Sequence, residues 1–396
     1  MDRRRFLLSG SLAAVALSTG WGLYAAPVQS PRLLLVFLRG GYDWNNTLVP
    51  YASDFYYESR PTIAIARPDA ANPGSAIALD SQWGLTPSLR ESILPMFQRK
   101  EVAFVPFAGT GDLSRSHFET QDDIEAGQPE QGRRDFRSGF LARLSGTLTG
   151  VQPIAFTDSL PRSFKGGGEI PNVSLKEVSH PGFDARQSQI LAGMYRDHPL
   201  HQQVMEGLEL RQEVSKEFSG EMNAASRGAV SPHGFELEAR RIAAMMRGRY
   251  RLGFVDVGGW DTHVNQGGAD GQLARRLESL GSGLAAFAQE MGTAWNDTVV
   301  VVISEFGRTF RENGNNGTDH GHGSAYWVLG GGVRGGRFAG EQVKVERATL
   351  LQDRDHPVLN DYRGVLGGLF SRMWGLSAER VRDVFPDAKP IDLQLT

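Results

Sequence analysis

Acidic, histidine and hydroxyl side chains of this sequence stand directly after apolar runs, in turns that contain glycine. Four such segments cover residues 33–43, 102–117, 252–263 and 299–309, and they read LLLVFLRGGYD, VAFVPFAGTGDLSRSH, LGFVDVGGWDTH and VVVVISEFGRT. Ligands of open α/β sheets bind beyond the carboxyl ends of the strands, where such side chains converge. The pattern therefore indicates an α/β enzyme.

Carboxylates and imidazoles in these turns are the groups that bind divalent cations in proteins. Asp261 and His263 follow a Gly-Gly turn, and their spacing lets both side chains approach one point, so we interpret them as metal ligands. His320 and His322 lie in the segment NGNNGTDHGHGSA. Histidines interleaved with glycine have little packing value, which favours metal binding or proton transfer.

Two further carboxylates follow apolar runs. Asp43 could bind a cation, and the alternative is a turn residue that caps backbone amides. Glu305 follows a run with the character of a buried strand, where a carboxylate is costly to bury without a cation or an arginine. A metal ion and an ion pair with Arg308 both explain it.

Ser116 and His117 begin the segment SHFETQDDIEAG, which predicts a helix that Ser116 caps and Gly127 ends. A helix N-terminus binds phosphate or sulfate and can present a serine hydroxyl as a nucleophile. A plain N-cap is the alternative. The adjacent His117 favours catalysis, with Ser114 as the second choice of nucleophile.

The elements that must position these residues are predicted from apolar periodicity. Strands are expected at 32–38, 62–66, 102–107, 153–156, 252–257 and 299–303, with helices between them. The polar, helix-favouring stretch around 187–250 predicts a helical insertion. Alternating strands and helices give an α/β fold with a doubly wound, mostly parallel sheet and helices on both faces.

Composition excludes several classes of function. The 42 Lys and Arg residues nearly balance the 45 Asp and Glu residues, which argues against a nucleic-acid partner. Cysteine is absent, so thiolate nucleophiles, Cys-ligated zinc and a cysteine-derived formylglycine are excluded.

The N-terminus predicts export. Residues 1–29 contain RRRFL and then a short apolar stretch, which resembles a twin-arginine signal, with an uncleaved N-terminal anchor as the alternative. We expect the twin-arginine machinery as a partner, a periplasmic or secreted location, and no stable membrane insertion after signal removal. Residues 30–396 are then expected to form a single domain.

The motifs RGGYD, RSHF, GGWDTH, SEFGRT and TDHGHG, after the twin-arginine start, resemble the exported bacterial family named domain of unknown function 1501. That family is grouped with the alkaline phosphatase and sulfatase superfamily, which implies an alkaline-phosphatase-like fold and a metal site. By this resemblance the nucleophile is Ser116, and the metal ligands are Asp43, Asp261, His263, Glu305 and His320 or His322.

The leading hypothesis is a metal-dependent hydrolase of phosphate or sulfate esters. Ser116 would be the nucleophile, His117 and Arg308 would assist it, and the substrate would be a small anionic ester. Zinc is the expected metal, with Mn, Mg or Ca as alternatives. Phe306 stands where the superfamily has a histidine, which motivates the second hypothesis: a non-catalytic exported binding or assembly protein with a degenerate metal site. A third is glycan hydrolysis by Asp43 and Glu305.

Overall fold

A computed structural model of the chain describes residues 31–129, 137–173, 191–196, 198–209 and 234–396. The predicted export signal and parts of the predicted insertion lie outside these ranges. Within the insertion, residues 191–194 and 201–209 are helical, and so is Phe235–Arg247. In the described ranges, no helix combines the length and apolar character needed to cross a membrane.

A large mixed sheet forms the centre of the fold. The strands of the described residues are β1 (Arg32–Leu38), β2 (Leu48–Val49), β3 (Ile77–Ala78), β4 (Gly84–Leu85), β5 (Val102–Gly109), β6 (Pro153–Phe156), β7 (Leu252–Val257), β8 (Thr298–Ser304), β9 (Ser324–Leu329), β10 (Arg337–Phe338) and β11 (Asn360–Asp361). The large sheet has the order β10-β5-β9-β8-β1-β7-β6, with β11 paired to β5, and β2, β4 and β3 form a small antiparallel sheet.

Most strand pairs of the large sheet are parallel. β1 is parallel to β7 and β8, β6 to β7, and β10 and β11 to β5, whereas β9 is antiparallel to β5 and β8. The predicted mostly parallel α/β sheet is confirmed. The strand predicted at 62–66 is wrong, because that segment forms turns and irregular chain, and β9 was not predicted.

Helices cover both faces of the large sheet. The α-helices with defined bounds are α1 (Asp54–Ser59), α2 (Ile93–Gln98), α3 (His117–Ala126), α4 (Phe140–Thr147), α5 (Phe235–Arg247), α6 (Gln272–Met291), α7 (Tyr362–Trp374) and α8 (Ala378–Val384). Alternate residues of β1 point to opposite faces. Leu34 and Val36 pack in a cluster with α2, α5 and α6, whereas Leu35 and Phe37 pack with α3, α4, α7 and α8.

The strand directions bring four polar turns to one edge of the sheet. β9 is antiparallel to both β5 and β8, so β5 runs in the same direction as β1, β7 and β8. The carboxyl ends of these four strands therefore face the same side. The turns after them carry the predicted site residues.

Candidate metal centre

Helix α3 begins and ends at the predicted residues. Ser116 is its N-cap, with Oγ accepting a hydrogen bond from the Glu119 amide at 3.5 Å, and Gly127 ends it in the left-handed conformation at φ 62°. His117 is consequently the first helical residue. Its imidazole contacts the segments that follow β7 and β8.

Three imidazoles and one carboxylate converge beyond the strand ends. Nε2 of His320 lies 2.9 Å from Nε2 of His117 and 3.1 Å from Nε2 of His263. The Asp261 carboxylate lies 3.5 Å from Nε2 of His117 and 2.9 Å from Nε2 of His263. Ligand atoms of His117, Asp261 and His320 all lie within 4.8 Å of one another, as a metal site requires, and His263 adjoins this group.

The other nitrogen of each imidazole faces a hydrogen-bond acceptor. Nδ1 of His117 is 2.8 Å from Glu305, Nδ1 of His263 is 3.0 Å from Asp319, and Nδ1 of His320 is 3.0 Å from the Arg115 carbonyl. An acceptor fixes the proton on Nδ1, which leaves a lone pair on Nε2. Facing lone pairs at these distances repel unless a cation or a proton lies between them.

The spacing of these nitrogens suits a metal ion. Zinc binds imidazole nitrogen at about 2.0–2.1 Å, so two tetrahedral nitrogen ligands lie about 3.3 Å apart. Burial and the neighbouring His117 lower the pKa of His320, whereas the hydrogen bond to Glu305 raises the pKa of His117. A proton between the two rings would therefore be held more firmly by His117 than by His320.

Glu305 lies behind His117 and is fully buried. Its Oε1 accepts hydrogen bonds from His117 and from the Gly40 amide and Gln121 side chain, each at 2.8 Å, and Oε2 accepts one from Ser304 at 2.9 Å. Burial alone would raise the pKa of Glu305, but these hydrogen bonds lower it. We expected a direct metal ligand, and the structure places Glu305 as the carboxylate that orients His117.

Arg308 forms an ion pair with Asp261. The ion pair between Arg308 and Glu305, which was one of the two explanations offered from the sequence, does not form. Its guanidinium is fully buried and donates to Asp261 Oδ1 at 2.5 Å and to Thr318 Oγ1 at 3.2 Å. Burial would raise the pKa of Asp261, but the Arg308 hydrogen bond holds it below its usual value. The carboxylate stays ionised, and Oδ2 is the oxygen on the His117 side.

Asp43 belongs to a separate buried ion pair. Arg60 donates to both of its oxygens, at 2.5 and 3.0 Å, and Gln266 donates to Oδ2 at 2.6 Å. Asp43 also caps a 3-10 turn through the Asn45 amide, as the turn alternative had it. With its oxygens taken and its side chain fully buried, Asp43 is not part of the imidazole group and cannot serve as an acid or base with Glu305.

The remaining predicted residues lie close to the group in sequence. Ser116 is half-buried between Arg115, whose carbonyl holds His320, and His117. His322 is buried, and its carbonyl accepts a hydrogen bond from the Gly307 amide at 2.8 Å. Among the described residues, the compact ligand group consists of His117, Asp261 and His320 and does not include His322.

Sequence reasoning missed four contributions. His117 was expected to be catalytic, and its geometry is that of a ligand. Phe306 packs its ring on His117 and His320, with centroids 4.9 and 5.2 Å away, so it forms the apolar base of the group. The Arg115 carbonyl points at His320 because Arg115 has a positive φ of 53°, for which the sequence carried no signal. The role of Asp319 could have been predicted, because this residue directly precedes His320.

Solved structures with a similar chain path have low scores. One is a protein in the alkaline phosphatase superfamily from Vibrio parahaemolyticus, which is 12% identical with a TM-score of 0.34. The match covers 76% of this chain and only 60% of the length of that protein. The lipoteichoic acid synthase LtaP from Listeria monocytogenes is 9% identical with a TM-score of 0.40, and the match covers 96% of this chain and 81% of that one. A phosphonate monoester hydrolase of Agrobacterium radiobacter is 13% identical with a TM-score of 0.33, and the match covers 88% of this chain and 74% of that one.

The sequence matches a family model, but it matches no curated protein of known function. No curated protein matches the chain. The family model described as "Protein of unknown function (DUF1501)" matches residues 30–385, which is most of the chain. This chain therefore belongs to the DUF1501 family, as its motifs predicted.

Proposed function

We propose that this protein is a metal-dependent hydrolase of phosphate or sulfate esters. The observation that supports the proposal is the convergence of three imidazole Nε2 atoms and the Asp261 carboxylate beyond the ends of parallel strands. Zinc suits this donor set, because imidazole and carboxylate are its usual ligands besides thiolate. A bound divalent cation supplies Lewis-acid stabilisation of the charge that develops on the ester oxygens.

The donor set favours one metal ion. His117, His320 and Asp261 would hold it, with His263 as a further ligand, while Glu305, Asp319 and the Arg115 carbonyl fix the rings. The two other carboxylates expected as ligands are engaged by Arg60 and by the donors around Glu305. Zinc is the first choice, with Mn, Mg and Ca as alternatives.

Ser116 is the proposed nucleophile. It precedes a ligand at the start of α3, and the positive end of the helix dipole favours an anionic group there. Its Oγ would bond to phosphorus or sulfur as the bond to the ester oxygen breaks, and the hydroxyl proton would pass to the departing alcohol. Water would then cleave the Ser116 ester, which releases the acid and restores the hydroxyl. Arg308 contributes by holding the Asp261 carboxylate in place.

Replacing the proposed nucleophile while keeping the helix cap tests the catalytic part. Asn caps helices as well as Ser does, whereas Ala costs about 1 kcal/mol of stability. We therefore expect Ser116→Asn to bind metal and unfold like the wild type, yet to lose several orders of magnitude in kcat with aryl phosphates or aryl sulfates. Full activity of Ser116→Asn would rule out Ser116 as nucleophile.

One observation favours the non-catalytic alternative. Three arginines near the site could in principle hold the oxygens of a substrate, but each donates to carboxylates. Arg39 donates to Glu125 and Asp256, Arg115 donates to Asp355, and Arg308 donates to Asp261. A metal-loaded protein that turns over neither aryl phosphates nor aryl sulfates would support a binding or assembly role.

Export remains a proposal that rests on residues 1–29. If these residues form a twin-arginine signal, replacing Arg3, Arg4 and Arg5 by Lys should leave the protein in the cytoplasm, as fractionation with an antibody would show. Unchanged export of that variant would exclude this route.

A further inference from the structure

Several large exposed hydrophobic side chains lie on the segments that lead to the metal centre. Among the described residues they are Leu113, Phe118, Met194, Leu200 and Val264, with exposed fractions of 44%, 85%, 74%, 47% and 50%. Three of the five lie on the two segments that carry His117 and His263. Single exposed apolar residues are ordinary, but a group of them at one place marks a binding surface.

The segments that carry these three residues meet at the centre. Phe118 directly follows His117, and Val264 directly follows His263. Both histidines approach Nε2 of His320, at 2.9 and 3.1 Å, so the two segments are neighbours in space. We call Leu113, Phe118 and Val264 the apolar rim.

The loop that carries Leu113 is held in place. Asp112 accepts hydrogen bonds from Ser114 Oγ at 2.8 Å and from Thr120 Oγ1 at 2.6 Å, which ties the loop to the first turn of α3. Leu113 is thus fixed on the side of the helix start, in the same loop as the proposed nucleophile. Leu113 is therefore exposed although hydrogen bonds hold its loop in place.

Phe306 adds an apolar surface beneath the same rings. It is buried and packs on His117 and His320. A ligand whose charged end meets the metal and the start of α3 would extend past apolar side chains on its way to solvent.

From this arrangement we infer that the substrate is amphipathic, an anionic phosphate or sulfate head that carries an alkyl or aryl group packed on the apolar rim. The inference rests on the proposed function, because it takes the head group from the metal centre. In this inference, Leu113, Phe118 and Val264 select substrates by the alkyl or aryl group that is attached to the ester.

Binding of non-hydrolysable analogues tests this substrate class without measuring turnover. Methyl-, butyl- and hexylphosphonate, and the matching alkylsulfonates, are titrated calorimetrically into the zinc-loaded full chain. Each methylene that leaves water on the rim should lower Kd about twofold to fourfold. Phe118→Ser should flatten this dependence on chain length, while Phe118→Leu should retain most of it and leave the affinity for methylphosphonate unchanged.

The outcomes separate the two proposals. Equal affinity for short and long chains, or a chain-length dependence that Phe118→Ser together with Val264→Ser leaves intact, would overturn the apolar rim while the hydrolase proposal stands. Failure of every phosphonate and sulfonate to bind would overturn the anionic-ester proposal, and the rim inference with it. Zinc content, measured in each variant, should stay at the wild-type level.

Discussion

At the scale of single residues, Glu305 sets the protonation of its neighbour. Its carboxylate collects hydrogen bonds from His117, Gly40 and Gln121, and it stays ionised although it is fully buried. A carboxylate on Nδ1 increases the basicity of the opposite nitrogen and fixes the ring. Glu305 should therefore matter for metal affinity although it does not contact the metal.

Replacing Glu305 by Gln tests this role. The amide keeps a similar shape but loses the charge, and such changes behind a ligand cost about 10–100-fold in metal affinity. Competition with a chromophoric chelator measures the affinity. Glu119→Gln, which removes an exposed carboxylate from the first turn of the same helix, is the control and should change it little. Equal affinities of the two variants would contradict the role of Glu305.

His356 gives a residue-scale prediction about acid stability. It is buried against Trp44 and 2.7 Å from Asn45 Oδ1, and burial lowers its pKa from 6.5 to about 3. Between these values the unfolded chain binds the extra proton, so the folded state loses stability as the pH falls from about 6.5 towards 3.

Replacing His356 by Gln should weaken that dependence. The side chain can still donate to Asn45 but cannot gain a proton, so the unfolding free energy should fall less steeply with pH, by up to about 1.4 kcal/mol per pH unit. Urea titrations at pH 7 and pH 5 measure the difference. Parallel pH profiles of the two proteins would contradict a neutral, buried His356.

At this scale the sequence predicted several side chains that the fold brings together, but not the hydrogen-bond partners of those side chains. Asp261, His263 and His320 were recognisable because glycine turns leave little packing role for such side chains. The pairing of Asp43 with Arg60 was not, since it depends on how an irregular segment returns to the strand end. The role of His117 likewise depends on the direction in which α3 leaves β5.

At the scale of elements, the site depends on close contact between the turns that follow β1 and β7. Gly40 has a φ of 123°, and a Cβ added there would lie 2.7 Å from the Asp261 amide nitrogen. Only glycine fits this conformation and this approach without strain. The RGGYD motif thus positions Asp261 as well as donating an amide to Glu305.

Replacing Gly40 by Ala should displace the Asp261 turn. We expect a loss of more than about 1 kcal/mol in the free energy of unfolding, together with weaker metal binding. Gly146→Ala in α4 is the matched control, because a Cβ there meets no atom within 4 Å, and it should be neutral or stabilising by about 0.5–1 kcal/mol. Denaturant unfolding and metal titration measure both effects. Wild-type behaviour of Gly40→Ala would show that the turns are not in tight contact.

Element prediction succeeded where burial alone decides the structure. The runs at 153–156 and 252–257 form strands with the predicted bounds, since most of their residues are buried, those of β7 inside the sheet and those of β6 at its edge. The run at 62–66 failed because its backbone bonds locally: the Ile65 amide donates to the Tyr56 hydroxyl and the Ala64 amide to the Arg60 carbonyl. Glycines before β9 concealed that strand.

At the scale of the whole molecule, the metal would join segments far apart in the chain. His117 follows β5, Asp261 follows β7, and His320 lies between β8 and β9. The unfolded chain cannot offer these ligands together, so metal binding stabilises the native state by mass action, by about 2.7 kcal/mol at a free metal concentration of 100 Kd. The sequence predicted the shared edge, because parallel strands end on one side.

Removing the metal should therefore lower Tm by several degrees. EDTA dialysis followed by calorimetry measures the drop, and added zinc should restore it. His320→Ala, which deletes the central imidazole, should have a Tm that neither EDTA nor zinc changes. Identical responses of the variant and the wild type would place the stabilising metal elsewhere.

The most direct test of the metal centre is anomalous diffraction at the zinc edge from crystals of the zinc-loaded protein. We predict a peak within about 2.0–2.2 Å of Nε2 of His117, Nε2 of His320 and Oδ2 of Asp261. The absence of a peak between these atoms, with zinc bound elsewhere or not at all, would contradict the account.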